Sequence, residues 1–205
     1  MSHSLPDPAR CALLTIDLQN DFIHPEGAYG RAGQGAATIA ALPARLAPLA
    51  RKLRAAGGVH VSAQFTLLAG RDGEPLISPH LKALRPFLGA GDFAPGSWGH
   101  RIVDDFDPPE AVIEKVAYSA FYQTRLEFLL RALGVEGLLL AGIVTNGGVA
   151  STLRDAHLRD LPVVLLTDGC AAFREDVHAA SLLSLSSVAP QWRVEDAMTW
   201  VGARA

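Results

Sequence analysis

A chain of 205 residues, 49% hydrophobic and 19% charged, holds ample material for one buried core. Its formal net charge of −3 and the lack of any Lys/Arg cluster exclude the electrostatic footprint of a nucleic-acid partner. No apolar run approaches the roughly 18 residues of a membrane span, and residues 1–10 lack the apolar core of a signal peptide. Cys11 and Cys170 make neither a disulfide framework nor a CxxC zinc site, which fits a reducing, cytoplasmic setting. No repeat or linker divides the chain, so a single domain over 1–205 is expected.

In chain order, residues 12–18 read as a buried strand with Asp17 near its C-terminal end. Residues 19–35 are glycine-rich and polar and read as a loop. Gly30, Gly33 and Gly35 imitate a dinucleotide-binding pattern, but no strand feeds them directly. Ile39, Leu42, Leu46, Leu49 and Leu53 fall at helical spacing, stopped by Gly57 and Gly58. Pro43 suits a first turn, whereas Pro48 removes an internal hydrogen bond and should bend the helix. Residues 59–65 form a second strand. The segment 68–110 is rich in glycine and proline, as functional loops carrying short irregular helices are.

A third strand, 111–115, ends in Lys115. Thr124 and Glu127 have the spacing of a capping box, and Leu126, Leu129, Leu130 and Leu133 share one face of the helix that follows. The strand 137–144 leads into a second helix, 162–169 is a fifth strand, and a helix covers about 174–188. Residues 192–194 start a sixth strand. Near-continuous apolar strands alternating with helices predict an α/β fold, three-layer α/β/α, with a mostly parallel sheet of about six strands. Ligands bind outside the carboxyl ends of such strands, which puts Asp17, Lys115 and the 144–148 turn on one rim.

That turn, Gly142-Ile143-Val144-Thr145-Asn146-Gly147-Gly148-Val149-Ala150-Ser151-Thr152, runs from a buried strand into a helix N-terminus. The first amides of a helix lack partners within it and favour negative charge, so the turn can serve as an anion or oxyanion site. The plainer reading is a tight connection that needs glycine for its backbone angles.

Three pieces in this order resemble the isochorismatase-like hydrolase superfamily, also called the cysteine hydrolases. They are Ile16-Asp17-Leu18-Gln19-Asn20-Asp21-Phe22, then Glu114-Lys115 with Tyr118-Ser119-Ala120-Phe121, then the run from Gly142 through Ala156. The resemblance covers about residues 11–198 and implies the three-layer α/β/α fold of that family. It further implies an acid/base role for Asp17 and an active-site role for Lys115, with Val144 and Gly148 amides forming an oxyanion hole. The family often carries a non-proline cis bond there, which would be Ile143–Val144. Gly148 falls where the amidase branches carry the nucleophilic cysteine, and glycine cannot be acylated. The branch that works without cysteine hydrolyses a vinyl ether, with the aspartate as general acid.

The resemblance therefore implies a small-molecule hydrolase without a cysteine nucleophile. A non-catalytic binding protein on the same fold, or an amidohydrolase using water or Cys170, are the alternatives. Phe22, Trp98, Tyr118, Phe121, Thr145 and Asn146 are candidate substrate contacts, and Arg85 and Arg101 are candidate partners for substrate carboxylates. Thr145 and Asn146 are also expected to bond locally and shape the turn, as Asn20 and Asp21 would in theirs. Cys170 lies near the rim, either lining the pocket or buried as a structural thiol. No metal or cofactor is expected, because residues 63–67 lack the Asp-x-His element of the metal-dependent relatives; His80 and His100 read as surface residues. The expected partners are a small-molecule substrate and further copies of the chain, since the family commonly forms homo-oligomers.

Overall fold

The computed structural model describes residues 5–204, which build a six-stranded sheet covered on both faces by helices. Its strands are β1 Cys11–Ile16, β2 Val59–Phe65, β3 Ala111–Lys115, β4 Gly137–Ile143, β5 Val163–Ala171 and β6 Gln191–Trp192. Their spatial order is β3-β2-β1-β4-β5-β6, and every pairing is parallel. The chain winds outward from β1 in one direction and then from β4 in the other. The order therefore reverses between β1 and β4, where their carboxyl ends open a crevice.

Side-chain alternation assigns each strand residue to one of two cores. Leu13, Leu139 and Leu166 pack under α4 (Leu42–Ala55) and α9 (Val194–Gly202). Leu14, Leu140 and Leu165 pack on the other face, under α6 (Leu126–Ala132), α7 (Ala150–His157) and α8 (Glu175–Leu185). Burial on both faces explains why these strands read as continuous apolar runs. Among the described residues no helix is long and apolar enough to cross a membrane.

Several boundaries differ from the sequence reading. The helix expected over residues 39–53 is two pieces, α3 (Ala37–Ala40) and α4, with Pro43 in the first turn of α4. Pro48 lies within α4 on its exposed side, where solvent can meet the carbonyl that loses its partner. The loop expected over 19–35 holds two single-turn helices, α1 (Asn20–Ile23) and α2 (Ala28–Arg31). Within 68–110 there is one short helix, α5 (Pro79–Leu84). Thr124 does not close a capping box: its hydroxyl accepts the Leu126 N–H at 3.1 Å, and Glu127 pairs with Arg159 instead. The sixth strand stops at Trp192, and Val194 begins α9, because Asp168 accepts the Val194 N–H at 2.8 Å.

Gly142 is required where β1 and β4 separate. It sits opposite Ile16 at φ +116°, and a Cβ there would stand 2.2 Å from the Ile16 carbonyl oxygen. No side chain fits so close an approach.

His60, buried near the start of the inner strand β2, imposes a pH dependence on the fold. Its Nε2 lies 2.9 Å from Thr15 Oγ1 and its ring lies against Phe106, while Nδ1 is buried with no partner. Burial pushes its pKa down to about 4, with the Arg54 guanidinium acting in the same direction and Glu110 opposing. The unfolded chain takes up a proton below about 6.5, which the native state refuses until about 4. Stability therefore falls as pH drops through that window, by up to about 3 kcal/mol from this residue. Urea unfolding at stepped pH should show a shallower acid loss in His60→Gln than in the parent chain. Parallel curves would exclude the residue as the cause.

Candidate active site

Asp17 follows the last residue of β1 and adopts φ +58°, with its N–H held by the Ala63 carbonyl at 2.9 Å. Aspartate tolerates this left-handed conformation better than most residues, and such departures gather at functional sites. Lys115, the last residue of β3, reaches across the end of β2. Its Nζ passes 5.7 Å from the centre of the Phe65 ring and donates to Asp17 Oδ2 at 2.8 Å and to the Ala117 carbonyl at 3.3 Å. Both side chains are buried. Burial raises the Asp17 pKa, and the Lys115 ammonium only partly offsets the rise. The second carboxyl oxygen, Oδ1, is buried without a hydrogen-bond partner. The site thus holds a carboxyl with one oxygen anchored by Lys115 and the other buried without a hydrogen-bond partner.

The third strand end closes the site. The Ile143–Val144 peptide is cis, as the resemblance implied, and Thr145–Val149 forms a wide helical turn ahead of α7. Gly147 and Val149 both donate their N–H to the Val144 carbonyl, at 2.9 and 3.3 Å. Thr152 Oγ1 donates to the Gly148 carbonyl at 2.7 Å and accepts from Ala120 N at 3.0 Å, tying this turn to the segment after β3. A Cβ on Gly148 would lie 3.4 Å from Asp17 Oδ2, 3.1 Å from the Ile143 carbonyl and 2.9 Å from Ile16 Cγ2. Asp17, Lys115 and the 144–148 turn meet at one point, as the carboxyl-end rule placed them.

They sit at the floor of a cavity of about 260 Å³. Phe22 and Tyr118 line it, as the sequence suggested, and so does Arg85. Phe65, Tyr29 and Phe173 also line it, and sequence reasoning missed all three. Phe65 and Phe173 stand at or just past the carboxyl ends of β2 and β5, so the rule that found Asp17 would have found them. Nothing in the sequence around Tyr29 marks it.

Other candidates lie elsewhere. Trp98 does not line the cavity; its ring meets His24 edge-on at 4.9 Å. Phe121 is buried in the core under Arg159. Thr145 turns away from the cavity and pairs with His178 Nδ1 of α8 at 2.8 Å, rather than bonding within its own turn. Asn146 faces a groove beside α8, and Arg101 is exposed outside the cavity. Cys170 lies in the core under α7 and α8, not beside Asp17, and burial raises its pKa strongly. Cys11 is buried in the opposite core, its thiol pushed up to about 12. His100 is buried against Thr66 Oγ1 at 2.8 Å and is no surface residue, whereas His80 is exposed at the mouth of the cavity.

Buried polar residues beside Asp17 hold the loops that wall the cavity. Gln19 accepts Phe65 N–H at 2.8 Å and donates to the Phe65 and His100 carbonyls at 2.9 and 2.8 Å. Asp21 accepts the N–H groups of Ala28 and Phe93 at 2.9 and 2.7 Å, and Asn20 donates to the Trp98 carbonyl at 2.9 Å. Asn20 and Asp21 shape loops, with one partner of Asp21 seven residues on and the others more than seventy residues away. Among the described residues, no three His, Cys, Asp or Glu side chains gather as metal ligands.

Comparison with known proteins places this geometry. Residues 11–196 match the isochorismatase domain family. The chain is 35% identical over 193 residues to ureidoacrylate amidohydrolase RutB of Methylobacterium radiotolerans, covering 88% of this chain and 75% of that protein. Its fold superimposes on a cysteine hydrolase from Pseudomonas syringae pv. phaseolicola 1448A with a TM-score of 0.82, at 22% identity over 100% of both chains. It also matches N-carbamoylsarcosine amidase from Thermoplasma acidophilum with a TM-score of 0.71, at 25% identity over 91% of this chain and 97% of that one.

Proposed function

The chain belongs to the isochorismatase family of hydrolases, and from that premise we propose that it hydrolyses a small organic molecule without a cysteine nucleophile, using Asp17 as general acid. One observation carries this reading. Residue 148, whose side chain would start at a Cβ 3.4 Å from Asp17 Oδ2, is a glycine and brings no nucleophile there, while Asp17 keeps a buried oxygen without a hydrogen-bond partner. Covalent catalysis has no nucleophile at that point, so the chemistry falls to proton transfer and water.

Vinyl-ether cleavage suits the electrostatics. A carboxyl whose pKa is raised by burial retains its proton more readily, and Lys115 fixes its orientation through Oδ2. Asp17 would deliver that proton to the alkene carbon. Water then adds to the oxocarbenium-like carbon and gives its proton back to the carboxylate. The resulting hemiketal breaks its C–O bond to release an alcohol and a carbonyl product. The Val144 and Gly148 amides would face the oxygen that gains negative charge as the C–O bond of the hemiketal breaks.

The similarity to ureidoacrylate amidohydrolase supports a second reading, C–N bond hydrolysis with Asp17 as base to a water. Both readings leave the cysteines idle. The test is turnover of isochorismate and of a panel of small amides by the parent chain and by a Cys11→Ala, Cys170→Ala double variant. Rates equal within about twofold are expected. A folded double variant without activity would restore a thiol route, and no turnover by either protein would favour a binding protein on this fold.

A further inference from the structure

Thr145 opens the turn that runs between the Val144 and Gly148 amides, and its side chain is fully buried. A buried hydroxyl needs a partner, and among the described residues the partner of Oγ1 is His178 Nδ1, at 2.8 Å. The bond holds whichever of the two carries the proton. A neutral Nδ1 can accept from the hydroxyl, and a protonated one donates to it. His178 stands on α8, 33 residues along the chain, and lines a groove against α3 and α4. It does not line the cavity over Asp17, so it reaches the reacting atoms only through Thr145.

Two features say that this histidine serves the turn rather than the core. The first is α8 itself, whose one buried side chain is Leu185, at its last residue. Its first two turns have no buried apolar anchor, and His178 ties them to Thr145. The second is the form of the turn. Val149 bonds to the carbonyl five residues back, a wider winding than an α-helix that is uncommon and gathers at functional sites. Gly147 and Gly148 lie within it and restrict the backbone least of all residues. The turn is therefore fixed from outside, at both ends. Thr152 holds the Gly148 carbonyl and the Ala120 N–H, and His178 holds Thr145.

We propose that His178 is a positioning residue, which through Thr145 sets where the Val144 and Gly148 amides stand relative to Asp17. It touches no substrate. Donors aimed at an oxygen that gains charge act in the transition state, so their displacement lowers kcat and leaves KM. The proposal rests on the reading of those amides as an oxyanion site, but the order of the turn is measurable without turnover.

The test is amide hydrogen exchange, read by peptide mass spectrometry, on the parent chain and on variants of the pair. In His178→Ala and in Thr145→Val, residues 144–149 should exchange at least about tenfold faster, with β1 and β4 unchanged. His178→Asn puts an amide where Nδ1 stands and should stay within about threefold of the parent chain. His178→Gln carries its amide one atom further and should behave like His178→Ala. Unchanged exchange in His178→Ala would overturn the proposal. So would exchange that rises equally in β1 and β4, because the histidine would then only hold the fold together. For a substrate that the parent chain turns over, kcat of His178→Ala should fall about tenfold or more, with KM within about twofold. His178→Asn should restore it, and an unchanged kcat or a loss carried by KM would also overturn the proposal. A parent chain that turns over nothing would sink the hydrolase reading, and exchange alone would then decide this one.

Discussion

Asp17→Asn should reduce kcat by about a thousandfold, inside the 10²–10⁴ range that a positioned acid or base contributes. Asparagine has nearly the same shape and can still accept the Lys115 Nζ–H at the position of Oδ2, so the cavity should keep its form. The buried ammonium loses its counter-charge, and a stability loss of about 1–3 kcal/mol is expected from urea unfolding. The pH profile of kcat/KM then tells which role Asp17 has. Its pKa is raised by burial, so a general acid stays protonated further toward neutral pH; activity is held below that pKa and lost above it. A general base gives the opposite limb. Either limb should vanish in whatever activity Asp17→Asn retains. An unchanged rate in the folded variant removes Asp17 from the chemistry.

Gly148→Cys should create a reactive thiol in a chain whose own cysteines are inert. The native thiols are buried with raised pKa values and should label slowly with iodoacetamide. The new Cβ would lie 3.4 Å from Asp17 Oδ2, beside the Lys115 ammonium that favours a thiolate. Labelling of residue 148 at least about a hundredfold faster than at Cys11 or Cys170 is expected, read by peptide mass spectrometry. The substitution also crowds the site, because the Cβ would stand 2.9 Å from Ile16 Cγ2. Ile16 is fully buried and fixed in β1, so overpacking should cost about 1–3 kcal/mol. Labelling no faster than that of the native cysteines would mean that the turn does not direct residue 148 at the Asp17–Lys115 pair. A stable variant that labels rapidly would mean that the Asp17–Lys115 pair activates a thiol at residue 148.

Different parts of the site were legible to different degrees. Asp17, Lys115 and the 144–148 turn were found because each ends a strand, and parallel strands deliver their ends to the same rim. Phe65 obeys the same rule, but an apolar residue at the end of a buried strand looks no different from the core residues before it. The aromatic candidates taken from loops fared unevenly. Tyr118 and Phe22 line the cavity, while Trp98 and Phe121 point elsewhere. Tyr118 and Phe121 are only three positions apart, yet one is exposed at the cavity and the other is buried against α6 and α7. An irregular segment has no fixed period, so spacing carries no information about direction there. Thr145 was misplaced for a related reason: its hydroxyl is satisfied by His178, 33 residues away, which local turn chemistry does not foresee.

The sequence by itself determined the fold class, the order of the strands' functional ends and the absence of a thiol from position 148. Those properties follow from local composition, since a strand buried on both faces must be apolar along its length and must end where polarity returns. Only the tertiary structure decided what walls the cavity. Tyr29 and Arg85 lie 56 residues apart and meet at 2.6 Å, and Gln19 holds partners 46 and 81 residues away. Such contacts form between loops whose paths are set by long-range hydrogen bonds and packing, and no periodicity in the chain encodes them.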